Sequence, residues 1–309
     1  MILILSEEND VSTNKIIEWL SYKKKDFVRY NFESFIKELK IDIGNSGIEG
    51  ALDNLKLEKI TSVLIRRKEF RFSFEKIDLE YLRNWGKYEI EGLKFFIRDF
   101  IRSKNNLGGF SSEKHNKLGD LMIAQEVGLK IPDTLVATNK NDIITFLENH
   151  ERCIYKPITS PFVFSDDNSN YIINGTKRIT ISDVEKLQNR FFPFLVQEEI
   201  NKFHEIRTLF FENLFFSMAI FSVEHPQMID YRLQYDKGKI RNVPFTLPES
   251  VKSKIRSFYE IKEVNMGIID MIYTSDNEYV FLENNNNGQF DMISNRCNYS
   301  LEKLIAESL

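Results

Sequence analysis

Two apolar runs near the C-terminal end each lead into oxygen ligands. Met266–Ile269 delivers Asp270; Tyr279–Leu282 delivers Glu283, with Asn285 two residues further on. Along a strand, residues i and i+2 share a face, so one hairpin presents Asp270, Glu283 and Asn285 to a single point. Two carboxylates and an amide oxygen are hard donors, suited to Mg²⁺ held jointly with substrate phosphates. The pattern requires paired strands here and points to a nucleotide triphosphate.

The rest of the composition narrows the class. A chain of 309 residues is long enough for two or three domain-sized units. Its 42% hydrophobic and 28% charged residues are ordinary for a soluble globular protein, and 26 Phe supply core material. A net charge of −4 offers no broad basic field, so nucleic acid is not expected as a partner. The two cysteines, Cys153 and Cys297, form no zinc spacing, and Cys153 reads as a small buried hydrophobe. No run approaches the ~20 apolar residues of a membrane span, and Met1–Leu5 is too short for a signal peptide. The expected location is the cytoplasm, with no membrane partner.

Strands at Met1–Leu5, Phe27–Asn31 and Thr61–Arg66 alternate with a helix capped by Asp10 or Ser12 and a long amphipathic helix from Asp78 to Ser103. This reads as a small parallel α/β unit. The breaker cluster Asn105–Gly109 is a candidate boundary. A helix from Glu113 to Val127 follows, closed by Gly128. Then come a strand at Pro132–Ala137, a helix at Lys140–Asn149, a strand at Cys153–Ile158, a polar loop or hairpin from Thr159 to Asn174, and a helix capped by Ser182. After Pro193 the pattern turns to hairpins: Glu205–Phe211 and Leu214–Val223 flank Glu212-Asn213. Helices are expected from Ser250 to Glu263 and Ser300 to Leu309. The expected domains are therefore 1–108 (α/β), 109–195 (mixed) and 196–309 (antiparallel α+β).

Four cations stand out. Lys117 lies in a helix, and Lys156 ends an apolar strand, where a buried lysine needs an anion. Arg207 and Arg232 lie in the C-terminal part; Arg207 reads equally well as a surface ion pair with Glu205. A triphosphate needs several such groups converging with Mg²⁺. Neither GxxxxGK[ST] nor GxGxxG is present, which leaves a nucleotide sandwiched between two sheets. Val196-Gln197-Glu198-Glu199-Ile200 then offers backbone groups to adenine, and Glu205 can accept from ribose hydroxyls. The competing reading of Glu198-Glu199 is a solvated strand end. Arg66 and Arg67, followed by Phe70 and Phe72, suit an acidic peptide segment or else a solvated strand end. Lys23-Lys24-Lys25 reads as a helix C-terminus. No histidine has a pattern that proposes a general base; His204, beside Glu205, is the one candidate.

These residues resemble the ATP-grasp ligases, and within them the graspetide (microviridin-type) branch, nearest to the peptide maturases of grasp-with-spasm systems. Four passages carry the resemblance: Ile4 to Thr13; Asn116-Lys117-Leu118 through Gly128–Leu135 to Thr138-Asn139; Tyr155-Lys156-Pro157; and Gln197-Glu198 through Glu205-Ile206-Arg207 to Leu282–Asn285. The implied fold is ATP-grasp, α/β and α+β: an N-terminal α/β pre-ATP-grasp domain, then two α+β subdomains sandwiching the nucleotide. The implied cofactors are ATP and Mg²⁺. Lys117 and Lys156 would hold the α- and β-phosphates. Gln197, Glu198 and the backbone at Glu199 and Ile200 would form the adenine segment, and Glu205 would bind ribose. Asp270, Glu283 and Asn285 would bind Mg²⁺, while Arg207 and Arg232 would stabilise the transferred phosphoryl group. The sequence departs from the pattern in two places. Asn286 stands where a proline usually follows the Glu-x-Asn motif, which removes a source of rigidity, and the Ser160–Gly175 stretch is polar rather than rich in small residues.

The implied activity is ADP-forming activation of Asp or Glu side chains in a ribosomally made precursor peptide (leader plus core). Thr or Ser hydroxyls, or Lys amines, then close macrocyclic esters or amides. The resemblance also suggests a homodimer. Two alternatives remain: an amino-acid ligase acting on a peptide or protein C-terminus, and a non-catalytic peptide-binding module.

Overall fold

The first buried run forms β1 (Ile2–Ser6), and Asp10 then caps α1 (Val11–Tyr22) by accepting from the Thr13 N–H. The computed structural model describes residues 1–67, 70–73, 80–109, 116–158, 162–166, 169–173, 176–222 and 240–309. β2 (Phe27–Asn31) follows α1. A small antiparallel meander comes next, β3 (Leu39–Gly44), β4 (Gly47–Leu52) and β5 (Leu55–Lys56). The chain continues through β6 (Ser62–Ile65), α2 (Glu80–Arg102) and β7 (Asn105–Gly108).

β2, β1, β6 and β7 form one sheet in that order, with parallel pairing throughout. A parallel sheet covered on both faces explains why β1 and β6 are apolar without alternation. The breaker cluster at 105–109 is thus an edge strand rather than a loop. Gly108 is required there: its φ is +89°, and a Cβ would meet the Ile65 carbonyl at 2.2 Å. The meander lies in a stretch to which the sequence reading assigned nothing. Its Leu52, and Leu57 just after it, are buried in the core with Leu3, Ile65, Phe100 and Ile101.

In the middle of the chain, α3 (Lys117–Glu126) is followed by β8 (Thr134–Asn139), α4 (Lys140–Glu148) and β9 (Cys153–Lys156). Next come the hairpin β10 (Phe162–Asp166) and β11 (Ser169–Ile173), then β12 (Lys177–Ile179), α5 (Ile181–Glu185) and β13 (Arg190–Glu198). The order β12-β9-β13-β8 is antiparallel throughout. Two helix starts differ from the reading. α3 begins at Lys117 rather than Glu113, because Asn116 is extended and its side chain accepts from the Leu118 N–H at 3.0 Å. α5 is capped by Thr180, not Ser182, because Thr180 and Asp183 form a reciprocal capping box.

β14 (Lys202–Phe211) and β15 (Leu214–Phe221) pair antiparallel across Glu212 and Asn213, whose φ values of 45° and 70° suit a tight hairpin turn. β16 (Arg241–Phe245), α6 (Glu249–Lys262), β17 (Met266–Thr274) and β18 (Tyr279–Asn285) follow, and the sheet order is β16-β15-β14-β17-β18. The chain ends with α7 (Asp291–Cys297), which the sequence reading missed, and α8 (Leu301–Ser308).

Two units emerge. One comprises Met1–Lys114, Glu263–Ile268 and Asn285–Leu309; the other His115–Lys262 and Ile269–Asn284. In the first, α1 and α8 are tied by Lys23–Glu307 at 2.7 Å. In the second, Asp120 of α3 and Lys262 of α6 form an ion pair in which both side chains are 1% exposed. Beside it the Tyr259 hydroxyl donates to Asn284 at 2.8 Å. Neutralising one partner strands the other charge in the interior. Asp120→Asn should therefore lower stability to urea by about 3–5 kcal/mol, and the apolar pair Asp120→Leu with Lys262→Met should recover most of that loss.

Candidate functional site

The second unit gathers most of the residues singled out in the sequence. Lys117, first residue of α3, donates to the Pro157 carbonyl at 3.0 Å and lies 4.0 Å from Glu283 of β18. Lys156, last residue of β9, is only 8% exposed. Burial drives its pKa down to about 8; Glu283 opposes this shift and Lys117 reinforces it. Two lysines thus converge on one carboxylate of β18, and the buried one has a perturbed pKa, which marks the cluster as a candidate site.

β14 and β17 are neighbours in their sheet, and Arg207 of β14 reaches Asp270 of β17, with Nη1 at 2.8 and 2.7 Å from the two carboxylate oxygens. The surface pairing of Arg207 with Glu205 is not what forms. Glu205 instead accepts from Lys202 at 2.7 Å, a lysine the sequence reading overlooked. Arg232 lies outside the described residues. Asn285 ends β18 exposed, and its Oδ1 accepts from the Asn287 N–H at 3.1 Å. An amide oxygen has a second lone pair, which leaves it able to bind a cation.

The end of β13 is more committed than a free edge. Gln197 is buried and donates to Thr134 Oγ1 at 2.7 Å. The Glu198 and Glu199 N–H groups donate to the Asp133 and Arg152 carbonyls at 3.0 and 2.9 Å. Of the backbone N–H and C=O groups that the sequence offered here, these two N–H groups are therefore already engaged within the protein. Nor is Glu199 a solvated strand end: Arg178 grips it in a fork with both contacts at 2.6 Å. Ile200 follows, half-buried, just past the strand.

Two expectations need correction. Arg66 is fully buried, so it cannot receive a peptide; it lies 3.7 Å from Asp10 and donates to the Gly288 carbonyl at 3.1 Å. Arg67 is 17% exposed in its side chain and is bound by Glu7 at 2.8 Å. His204 is no general base for this cluster. It alternates to the face of β14 opposite Glu205 and Arg207, it is packed against Phe221, Phe245 and Tyr273, and burial lowers its pKa.

Among the described residues, Asp133, His150 and Glu198 place ligand-capable atoms within 4.8 Å of one another. His150 Nδ1 faces the Phe146 carbonyl at 2.8 Å and Nε2 faces Asp133 at 3.2 Å. The Phe146 carbonyl, then Asp133, raises its pKa. The raised pKa favours the protonated ring, in which both nitrogens donate and neither can ligate a metal.

No family model matches the chain, and no curated protein sequence matches it. Solved structures do. Macrocyclase MdnC of Microcystis aeruginosa, bound with precursor peptide MdnA, superposes with a TM-score of 0.77 at 24% identity, over 99% of this chain and 98% of that one. A RiPP-associated ATP-grasp ligase of Chryseobacterium gregarium, in complex with ADP and a leader and core peptide, gives 0.79 at 24% identity, over 99% and 94%. ATP-grasp ligase PsnB, complexed with minimal precursor, Mg and ADP, gives 0.70 at 16% identity, over 99% and 95%.

The chain has the ATP-grasp fold. Within that ATP-grasp framework, Lys156 carries a pH signature. Its folded pKa of about 8 lies below the ordinary 10.5, so between these values the unfolded chain holds more protons. Stability should rise with pH from 8 to 10.5 by a step that Lys156→Met abolishes, measured by denaturant unfolding across that range.

Proposed function

We propose that this protein is an ATP-dependent peptide ligase of the macrocyclase kind. It would join Asp or Glu side chains of a ribosomally made precursor peptide to Thr or Ser hydroxyls, or to Lys amines. The observation that carries the reading is the convergence of Lys117 and the buried Lys156 on Glu283, whose strand adjoins the one bearing Asp270, itself paired with Arg207 of the same sheet. A polyphosphate held with Mg²⁺ would match that set of charges. The likeness to ligases solved with ADP and with precursor peptides supports the same reading.

The donor set suits Mg²⁺. Asp270 and Glu283 offer carboxylate oxygens, Asn285 offers an amide oxygen two positions along from Glu283, and all three are oxygen donors without sulfur or imidazole. These residues would hold the ion, which when bound supplies charge neutralisation to the phosphates. Lys117 and Lys156 would bind the α- and β-phosphates, whose negative charge would raise the Lys156 pKa from about 8. Gln197, Glu198 and the backbone of Glu199 and Ile200 would seat adenine, with Glu205 on the ribose.

Arg207, and Arg232 from outside the described residues, would face the migrating phosphoryl group. A peptide carboxylate takes the γ-phosphoryl group and ADP departs. A hydroxyl or amine then attacks the acyl carbon and phosphate leaves with its bonding electrons, while the nucleophile's proton passes to solvent. The chain's contribution is orientation and preset charge. Arg207 is held by Asp270 beside the proposed metal position. We assign residues 1–108, 109–195 and 196–309 to an N-terminal, a central and a C-terminal domain. The reaction belongs in the cytoplasm, where ATP is supplied, and a homodimer is part of the proposal.

Incubation of the protein with its precursor peptide, ATP and Mg²⁺ should lower the peptide's intact mass by one water per crosslink, and only when ATP is present. A gain in mass would instead identify amino-acid addition, and ATP-independent binding without a mass change would identify a binding module. Glu283→Gln should slow the reaction by at least about a hundredfold. ADP binding near pH 9 should take up a proton, read as a dependence of calorimetric heat on buffer ionisation enthalpy, and Lys156→Met should remove that uptake.

A further inference from the structure

The run Asn284–Gln289 contains no apolar side chain. Hydrophobic burial therefore cannot fix it, yet Asn286, Asn287 and Gly288 are buried while Asn285 beside them is exposed. Buried carbonyls need donors, and here guanidinium groups supply them. Arg67 Nη1 donates to the Asn287 carbonyl at 2.7 Å, and Arg66 Nη2 donates to the Gly288 carbonyl at 3.1 Å. Within the turn, the Asn287 N–H donates to Asn285 Oδ1 at 3.1 Å and the Gly288 N–H to the Asn285 carbonyl at 3.2 Å. The Asn285 side chain is thus bonded to the same residue whose carbonyl Arg67 holds.

The two arginines are themselves held. Asp10 Oδ2 lies 3.7 Å from Arg66 Nε and 3.5 Å from Arg67 Nε, and Glu7 accepts from Arg67 at 2.8 Å. The Arg66 guanidinium lies over the Phe290 ring at 4.8 Å. Gln289 closes the circuit by donating to Asp10 Oδ1 at 3.2 Å and accepting from Ser12 at 2.6 Å. Burial opposes ionisation of Asp10, but Arg66, Arg67 and the Thr13 N–H outweigh it and keep the carboxyl below its usual range. A carboxylate at the N-cap of α1, two arginines after β6 and the turn after β18 therefore form one connected polar network.

We propose that Asp10, Arg66 and Arg67 clamp the Asn285–Gly288 turn, and that Arg67 is the positioning residue that aims the exposed Asn285 amide oxygen at a divalent cation. This rests on the reading of Asn285 as a metal ligand. Arg67 acts through the Asn287 peptide, without touching the cation. The arrangement gives a short asparagine run a single conformation by charge-assisted bonds to its backbone. The side chain that must stay free is the one left exposed.

The test uses the full-length protein with Arg67→Met, Arg67→Lys and Asn285→Ala, and reads two quantities besides activity. One is backbone amide exchange at residues 285–289; the other is Mn²⁺ affinity in the presence of ADP, followed by electron paramagnetic resonance. In Arg67→Met, exchange at Asn287 and Gly288 should accelerate, and Mn²⁺ affinity should fall by about tenfold. Arg67→Lys keeps the charge but loses the fork, so both readings should fall between wild type and Arg67→Met; it also serves if Arg67→Met does not fold. If Asn285→Ala weakens Mn²⁺ binding while both Arg67 variants leave exchange and affinity unchanged, the clamp is overturned and the ligand reading stands. Unchanged Mn²⁺ affinity in Asn285→Ala would sink the ligand reading and the clamp with it.

Discussion

Burying a cation costs several kcal/mol unless something compensates it, and among the described residues Lys262, Arg66 and Lys156 are buried and compensated in different ways. Lys262 has Asp120 in direct contact. Arg66 has Asp10, a backbone carbonyl and an aromatic face. Lys156 has a share in Glu283, which Lys117 also approaches. Arg66 and Lys156 both carry depressed pKa values, about 10 and about 8, because burial outweighs their partners. Lys156 differs in that the carboxylate nearest it is also approached by a second lysine, Lys117.

The elements carrying these groups follow the same logic. Lys117 starts a helix whose cap, Asn116, fixes where the lysine emerges. Lys156 ends a strand before Pro157, which cannot extend the ladder. Arg207, Asp270 and Glu283 stand on three successive strands, β14, β17 and β18, of one sheet. Rigid elements with locked termini hold charge in place more firmly than loops do. Glu212 and Asn213, both at positive φ, show the same economy in a turn of two residues.

Local pattern exposed the strands and ligands that are contiguous in sequence. The apolar runs into Asp270 and Glu283 were readable because both chemistry and periodicity lie within a few residues. Lys156 was readable because a lysine ending an apolar strand is unusual. The misses have physical causes. Asn105–Gly108 looks like a breaker because asparagine and glycine favour turns, but parallel pairing with β6 overrides that preference. The meander at 39–56 is largely exposed, so its alternation is weak. Arg66 looked like a surface cation because its partner Asp10 lies 56 positions away and burial depends on tertiary contacts. Residue spacing suggested that Arg207 pairs with Glu205; the pairing with Asp270 depends on which strands become neighbours. The ATP-grasp fold itself was legible from four scattered passages in the right order, whereas the burial and hydrogen bonding of the site residues depend on which strands and helices become neighbours.

The boundary between the two units falls inside β17, after Ile268, and inside β18, after Asn284. Both breaks fall within strands in sequence. Contiguous fragments are therefore poor candidates for independent expression. A piece ending at Lys262 would lack β17 and β18 and leave β14 as an uncovered sheet edge, ready to pair with a neighbouring molecule. A piece ending at Lys114 would lose α8 from its place beside α1. Helices α7 and α8 thus belong to the same unit as the sheet formed by β2, β1, β6 and β7, although the whole of the other unit lies between them in sequence.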